Sequence, residues 1–429
     1  MTAAAIDDIV IIGGGLTGLA CGLALARAGH AVSILDRNPA AAEPEAVRTT
    51  TINRNSHALL ENLGLLTADF RSQLVPVTHI VIDDHIGRHG GGRAGGDDTR
   101  NTSSRKPGGT ASSPLLTWKA DPSCDAGPLA YVVRNAALQA ALEAAVAAEP
   151  GCHWQRGTAV ETLLDPDPEY GDAGIGLQLA DGSICHTRLV VAADGAGSPL
   201  RRQAGIRTIS RRPGQTAIVA DVISALPHRS AARQVFLRGG PLALMPLAEA
   251  HRHALVWSLP DDDAARLMAE DEAVFSAALN KASVAGLGRL QLASQRFCWP
   301  LRQHHALPPY ARRLALVGDA AHSIHPLAGQ GYNLALADAA GLAAAVSWGR
   351  HHGLDAGTAA VLRRYGRGRA AEVAVMTAAT DGLNWLFSAA PPSLSRGASI
   401  AMALLDRSPA KALALKIAEG GLSRGWPAA

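Results

Sequence analysis

The chain has 429 residues, with 40 Lys plus Arg against 37 Asp plus Glu, and a formal net charge of +3. Apolar residues make up 48% and charged residues 18%, which excludes disorder as a property of the whole chain. The small charge and the 4% of aromatic residues exclude the electrostatic and stacking footprint of a nucleic-acid binder.

The length exceeds the roughly 250–300 residues that one core sustains, so two or more packed domains are expected. Cys21, Cys124, Cys152, Cys185 and Cys298 are odd in number and include no C-x-x-C. A disulfide framework and a zinc ribbon are therefore excluded, and a reducing compartment is expected. No basic run precedes the first apolar stretch, and no apolar run reaches about 18 residues, so neither a signal peptide nor a membrane span is expected.

In chain order, residues 6–12 form a β-branched run closed by Gly13-Gly14-Gly15, and a strand is expected there. Residues 16–28 have helical character, with Gly29 behind them to end the helix. Residues 31–35 give a second strand, followed by Asp36, so the chain opens on a β-α-β unit. A short helix is expected over 56–63 and a strand over 78–82. Residues 85–114 are rich in Gly, Ser and Thr and nearly free of apolar side chains, so they are expected to be a disordered insert between two strands. Leu138, Leu142 and Val146 recur every four residues, predicting an amphipathic helix capped by Asn135. A strand is expected over 189–192. Residues 214–299 are mostly strand-like, with one helix over about 263–280. Another strand covers 314–317, and a helix covers 330–348. The rest is helix-rich, with breaks at Pro391-Pro392 and Gly420-Gly421.

Three segments carry chemistry. The first is Gly13-x-Gly15-x-x-Gly18, between a strand and a helix, with Asp36 ending the next strand. The first glycine makes a tight turn, the second lets a pyrophosphate approach the backbone, and the third packs helix on strand. The helix start offers free N–H groups, and the carboxylate suits a ribose. These features predict dinucleotide binding and leave NAD and FAD both open. The second segment is Asp194-Gly195-Ala-Gly-Ser198-Pro-Leu-Arg201, where Ser198 suits a helix cap. The third is Gly318-Asp319-Ala-Ala-His322-Ser-Ile-His325-Pro326-Leu-Ala-Gly329-Gln330-Gly331-Tyr332-Asn333. Its carboxylate suits a hydroxyl chain, and its Gly-Gln-Gly helix start suits a flat, electron-rich ligand.

Taken together, the three segments resemble those of the FAD-dependent aromatic hydroxylases that are like p-hydroxybenzoate hydroxylase. The run from His325 to Asn333 is similar to the ubiquinone-biosynthesis hydroxylases, the 2-octaprenyl-6-methoxyphenol hydroxylase group. Gly239-Gly-Pro-Leu-Ala-Leu-Met-Pro-Leu247, Leu255-Val-Trp257-Ser258 and Thr380-Asp-Gly-Leu-Asn-Trp-Leu-Phe387 are similar to that group as well. The resemblance covers nearly all of the chain except the insert.

The resemblance implies an α/β fold: a Rossmann-like FAD-binding domain, an interleaved β-sheet substrate domain and a helical C-terminal tail. The implied FAD-binding domain comprises 1–75, 129–205 and 303–350. The substrate domain comprises 76–128 and 206–302, and the tail 351–429. At matched positions, Gly13, Gly15 and Gly18 would hold the FAD pyrophosphate and Asp36 the adenosine ribose, with Leu16, Thr17 and Arg37 also at the cofactor. Arg48, Arg134, Val160 and Gly318 would touch FAD, Asp194 and Gly195 would touch both FAD and the NADPH path, and Asp319 would bind the ribityl chain. Pro326, Gly329, Gln330, Gly331 and Asn333 would surround the isoalloxazine, with Tyr332 also at the cofactor, and Leu244, Met245 and Pro246 would wall the substrate pocket. The family often carries Glu-Asn where this chain has Arg134-Asn135.

The implied activity is hydroxylation of a phenolic, polyprenylated ring by NAD(P)H and O2 through a flavin C4a-hydroperoxide. No acid or base is assigned. A polyprenyl substrate would bring the chain from the cytoplasm to the inner face of a membrane and to other quinone-biosynthesis proteins. The segments 400–405 and 413–417 are the expected points of membrane contact. Two other readings stay open: a flavin-dependent isoprenoid reductase on the same fold, and a non-catalytic flavin-binding subunit. The W-x-W-x-I-P run of flavin halogenases is absent. No metal site is expected, since the spacing of His322 and His325 follows the third segment. His251 and His253, His304 and His305, and His351 and His352 are expected at the surface, and Cys21 in the core.

Overall fold

A computed structural model describes residues 7–39, 47–84, 114–120, 127–164, 174–283 and 286–418. The proposed insert lies outside these residues except for Pro114, as do Cys124 and the expected break at Gly420-Gly421.

The chain opens with β1 (Asp7–Ile12), α1 (Leu16–Arg27) and β2 (Val32–Asp36). β1 pairs in parallel with β2 on one side and with the strand Ile184–Ala192 on the other. Cys152–Arg156 extends the sheet beyond β2, and Leu314–Leu316 extends it beyond Ile184–Ala192, both in parallel. The consecutive apolar residues of β1 follow from burial on both faces. Ile9 and Ile11 face α1 and the helices Asn135–Ala147 and Gly331–His351. Val10 faces the opposite core with Leu35, Val190, Leu314 and Leu316.

The second large sheet contains Gln215–Ser224, Arg252–Pro260, Leu242–Pro246, Ala231–Phe236, His79–Asp84 and Leu116–Lys119, in that spatial order. Two helices, Asp261–Ala269 and Glu272–Ala282, cover one face around Trp257, Phe275 and Leu279. They replace the single helix expected over 263–280. The break arises because Glu270 is extended and the Asp271 carboxylate accepts from the Val274 N–H, starting a new helix. The helix at Asn135–Ala147 likewise differs at its start. Arg134 is the N-cap residue and makes no side-chain cap bond, because the Asn135 amide oxygen accepts from Thr50 Oγ1 at 2.7 Å instead.

A three-stranded sheet of β3 (Thr49–Asn53), Ala130–Arg134 and Val75–Val77 joins the two larger units. The tail forms Ala359–Ser388, Pro392–Asp406 and Ala410–Ala418, with the expected break at Pro391-Pro392. No described helix is long and apolar enough to cross a membrane. Cys21 is fully buried, and burial pushes its thiol far up, as suits a packing residue.

The histidines depart from the surface expectation at two positions. His253 is fully buried on the helix-covered face of the second sheet, 2.9 Å from Ser224 Oγ. His304 is buried beside Arg201, because its strand Gln303–Ala306 is the middle strand of a small sheet rather than an exposed loop.

The two large units meet at an ion cluster. Buried Asp221, on the second sheet, accepts a bidentate pair from Arg134 at 3.0 and 2.6 Å and a third bond from Arg252 at 3.1 Å. Asp221→Ala leaves Arg134 without its counter-charge and Arg252 with only the exposed Glu249. Thermal and urea unfolding of this variant should show a loss of about 3 kcal/mol, whereas Glu249→Ala, which removes an exposed partner of Arg252 at 3.8 Å, should lie within about 0.5 kcal/mol of the parent.

Candidate functional site

The glycine turn is shaped by close approach. Gly13 has φ +110°, and a side chain there would meet Ala193 O at 2.5 Å. A Cβ on Gly18 would lie 1.8 Å from Gly13 O, so helix and turn are in backbone contact. Gly15 is different: nothing lies within 4 Å of the position its Cβ would take. The first and third glycines are thus required by the chain itself, while the second faces open space. Gly15 is also the N-cap of α1 and makes no side-chain cap bond, which leaves the helix start, with Leu16 and Thr17, free to face an anion. Asp36 ends β2 beside this turn. Its carboxylate accepts from the N–H groups of Gly14 (3.2 Å) and Asn38 (3.0 Å).

The second and third segments arrive at the same edge of the sheet. Gly195 has φ +83°, with open space at its Cβ position. Both oxygens of Asp194 are buried, and burial raises its carboxyl above the ordinary range against the pull of the Ser198 hydroxyl, the Leu200 N–H and Arg201. Ser198 caps the helix Pro199–Gln203 through the Arg201 N–H. The Arg201 guanidinium then donates to Ala196 O (2.8 Å) and Ala320 O (2.7 Å), tying the second segment to the third.

Gly318 has φ +55° and abuts Thr17, where a Cβ would meet Thr17 Cγ2 at 2.8 Å. Its N–H donates to buried Asp338, which also receives His322 Nε2 (2.6 Å) and Arg369 Nε (2.7 Å). Burial raises the Asp338 carboxyl, but His322 and Arg369 outweigh it and hold it below the ordinary range. Next to this buried cluster, Asp319 is exposed to solvent, yet desolvation by the surrounding protein raises its carboxyl against the pull of His322 and Arg48. A side chain that is both accessible and desolvated lines a deep cleft. Arg48 is exposed within electrostatic reach of it, with its guanidinium 5.5 Å from the Trp299 ring centroid.

The loop from Pro326 to Gly331 is held at both ends. On one side, Asn333 donates to Thr51 O (2.9 Å) and Gln330 Oε1 (3.2 Å) and accepts from the Asn53 N–H (3.0 Å). On the other, buried His325 meets Gln215 Oε1 at 3.1 Å. A Cβ on Gly329 (φ +63°) would lie 2.9 Å from Thr51 Oγ1, while Gly331 faces open space. The Tyr332 hydroxyl donates to Leu16 O at 3.4 Å, and burial raises its pKa. The Gly331–His351 helix starts without a side-chain cap, so its first N–H groups are not taken by a capping side chain.

Some expected positions are placed elsewhere. The Arg134 guanidinium is committed to Asp221 and to Val47 O (3.2 Å). Val160 is half-buried against the core that holds Val10 and Leu35. Arg37 is exposed. Met245 receives Thr51 Oγ1 at its sulfur (3.3 Å), on the face toward the glycine loop. Leu244, its neighbour on the strand, points to the opposite face and packs with Phe275 and Leu279 under the covering helices. A groove of about 530 Å³ on that far face, lined by Leu237, Trp257 and Leu267, is separated from the glycine turns by the sheet. His322 and His325 turn to different partners, Asp338 and Gln215, and do not converge.

Other residues of the site carried no local signal. Gln139 donates to Gly14 O at 3.1 Å and anchors the glycine turn from the Asn135–Ala147 helix. Trp154 lies against Gly14, with Arg156 stacked 4.0 Å over its ring. A Trp two residues into a strand has no sequence mark that sets it apart from core.

The arrangement offers two uncapped helix starts, open backbone at Gly15, Gly195 and Gly331, a buried carboxylate at Asp194 and a cleft carboxylate at Asp319, all along one sheet edge. That is a cradle for an extended ligand with an anionic middle, a polyol segment and a flat end.

Comparisons with known proteins agree. A family described as FAD binding domain matches residues 7–379. The ubiquinone hydroxylase UbiL of Rhodospirillum rubrum is 33% identical, over 98% of this chain and 91% of its own length. The mitochondrial ubiquinone biosynthesis monooxygenase COQ6 of Danio rerio is 29% identical, over 89% of this chain and 83% of its own. The crystal structure of p-nitrophenol 4-monooxygenase PnpA from Pseudomonas putida superposes with a TM-score of 0.75 at 18% identity, covering 98% of this chain and 99% of that one.

The glycines separate fold from ligand. Gly15→Ala should melt as the parent does when stripped of cofactor, yet bind FAD more weakly by flavin fluorescence titration. Gly18→Ala should lower the melting temperature of both forms, since its Cβ has no room. Acid should also weaken the fold. Burial lowers His253 from 6.5 to about 3, and His304 and His325 to about 4. Between these values and 6.5 the unfolded chain binds protons that the folded chain does not, so stability is full above about pH 6.5 and falls as pH drops. Each histidine contributes up to about 1.4 kcal/mol per pH unit. Urea unfolding across this window should show that slope, and His253→Gln should reduce it by about one proton.

Proposed function

This chain belongs to the FAD-binding domain family, among its flavin monooxygenases, and from that premise we propose that it hydroxylates a phenolic, polyprenylated ring in ubiquinone biosynthesis. One observation carries the reading: three chain-distant turns present open backbone and two carboxylates along one edge, beside a sheet face bearing Met245. The names of its relatives supply the substrate class. Bound FAD would supply the redox chemistry, in which two electrons from NAD(P)H reduce O2 so that one oxygen atom enters the ring and the other leaves as water.

The chain's own residues bind and orient. Gly13, Gly15 and Gly18, with the N–H groups of Leu16 and Thr17, would hold the pyrophosphate, and Asp36 the ribose. Asp319 would accept from the ribityl hydroxyls, and Asp194 would meet a donor on the cofactor. The loop from Pro326 to Gly331, through the N–H groups that start the next helix, would lie at the flavin's electron-rich edge, where a helix dipole is worth about 0.3–1 kcal/mol. Arg48 would reach the cofactor from the cleft mouth. The substrate ring would lie against Met245, while Leu244 would support that strand from behind. No side chain is assigned as acid or base.

We assign residues 1–75, 129–205 and 303–350 to the cofactor domain, and 76–128 and 206–302 to the substrate domain. Contact with a lipid surface would use the tail helices, where Ile400 and Leu404 are each 63% exposed and Leu413 is 60% exposed.

The test is a purified, flavin-loaded protein given NAD(P)H and a prenylated phenol. Oxygen uptake with a product heavier by one oxygen atom, and accumulation of the unhydroxylated quinone precursor in a deletion strain, are expected. Reduction of a prenyl double bond without oxygen uptake would overturn the assignment.

A further inference from the structure

The segment preceding the flavin-side loop ends on His325, whose role in the site is otherwise unassigned. His325 is 1% exposed, and its Nε2 faces Gln215 Oε1 at 3.1 Å. Gln215 cannot rotate freely. Its Oε1 also accepts from Asn384 Nδ2 at 3.0 Å, and its Nε2 donates to Gly239 O at 2.5 Å. Because Oε1 only accepts, His325 must carry its proton on Nε2 and leave Nδ1 bare. That nitrogen is buried without a partner, so the ring is held by this single amide. Burial keeps it neutral, lowering it to about 4.

The four partners come from distant parts of the chain: His325 from the third segment, Gln215 from the second sheet, Gly239 from the turn between Ala231–Phe236 and Leu242–Pro246, and Asn384 from the tail helix Ala359–Ser388. The loop is therefore hung between two amide clamps, Asn333 on β3 and His325 on Gln215. We propose that His325, Gln215 and Asn384 are positioning residues that set the height of the Pro326–Gly331 backbone against the flavin, and through it the flavin's readiness to be reduced. The physical link is that N–H groups aimed at the flavin's pyrimidine edge stabilise its reduced, negatively charged state, and that stabilisation falls steeply with distance and alignment.

This proposal rests on the flavin reading but not on the substrate, since the midpoint potential of the bound flavin is measured without substrate. Dye-linked reductive titration of the holoprotein is the experiment. His325→Ala and Asn384→Leu should each make the potential more negative, and the double variant should shift little further than either single one, because both act through Gln215. His325→Gln, which keeps an N–H donor, should recover part of the shift. Asn384→Leu is close in shape, removes the donor without adding a charge, and serves if the alanine variant does not retain FAD. Potentials equal to the parent's in the variants that hold FAD would overturn the proposal, whatever their melting temperatures. A parent protein that binds no flavin at all would instead overturn the cofactor reading.

Discussion

Parallel strand register is the constraint on which the site depends. Ile12 is level with Ala192 and with Leu35, and Ala192 is level with Leu316. Four strands drawn from widely separated parts of the chain therefore end along one edge. Each is followed by a turn with little side-chain bulk: Gly13 to Gly15, Asp36, Asp194-Gly195 and Gly318-Asp319. A slip of one residue in any pair would move a turn by about 3.3 Å and reverse the facing of every side chain on that strand. The two buried cores on either face of β1 prevent such a slip, since Val10 and Ile11 each fit only one side. The cradle is thus a consequence of packing some distance beneath it.

Buried charge then fixes the cradle to the rest of the molecule. Asp338 joins the Gly318 turn, His322 and Arg369 of the tail, and Arg369 in turn contacts Glu372. Asp221 of the second large sheet is tied to the three-stranded sheet through Arg134, with Arg252 of its own sheet as a further partner. Such groups offer little net stability compared with apolar packing, but they are costly to leave half-made, so they select one relative placement of the units. A cofactor site assembled from separate segments needs that selectivity more than it needs additional stability.

The contrast between what was legible and what was not follows the range of the forces involved. Gly13, Gly15, Gly18 and Asp36 form a local unit whose geometry is set within one β-α-β turn, so residue type and spacing suffice to read it. Ser198 as a cap and Pro391-Pro392 as a break are local in the same sense. One misplacement is local, the Asp271 cap that divides the helix expected over 263–280; the others are long-range. Asn135 is the right residue type for a cap, but Thr50, 85 positions away, takes its oxygen. Arg134 is drawn off by Asp221, and His253 and His304 are buried by strands that pair late in the chain. Leu244 and Met245 were treated as one wall, whereas strand alternation sends them to opposite faces, and only the sheet's position shows which face meets the loop. Gln139, Gln215 and Trp154 belong to no motif, because an amide or an indole acquires its role from its partner.

The tail belongs to the site on the same physical grounds. Phe387 stacks on Phe236 of the second large sheet at 4.3 Å between ring centroids, and both pack with Leu327 of the Pro326–Gly331 loop. Asn384, one turn earlier, is hydrogen-bonded to Gln215. The next helix presses Ala398 and Met402 onto the same cluster, while Ile400 and Leu404 face outward. One short helical segment thus has an inner side packed on the cluster that holds Leu327 and an outer side that exposes Ile400 and Leu404. The tail therefore holds the Pro326–Gly331 loop by apolar packing where Asn333 and His325 hold it by hydrogen bonds, so the loop is fixed by two kinds of contact with different distance dependence.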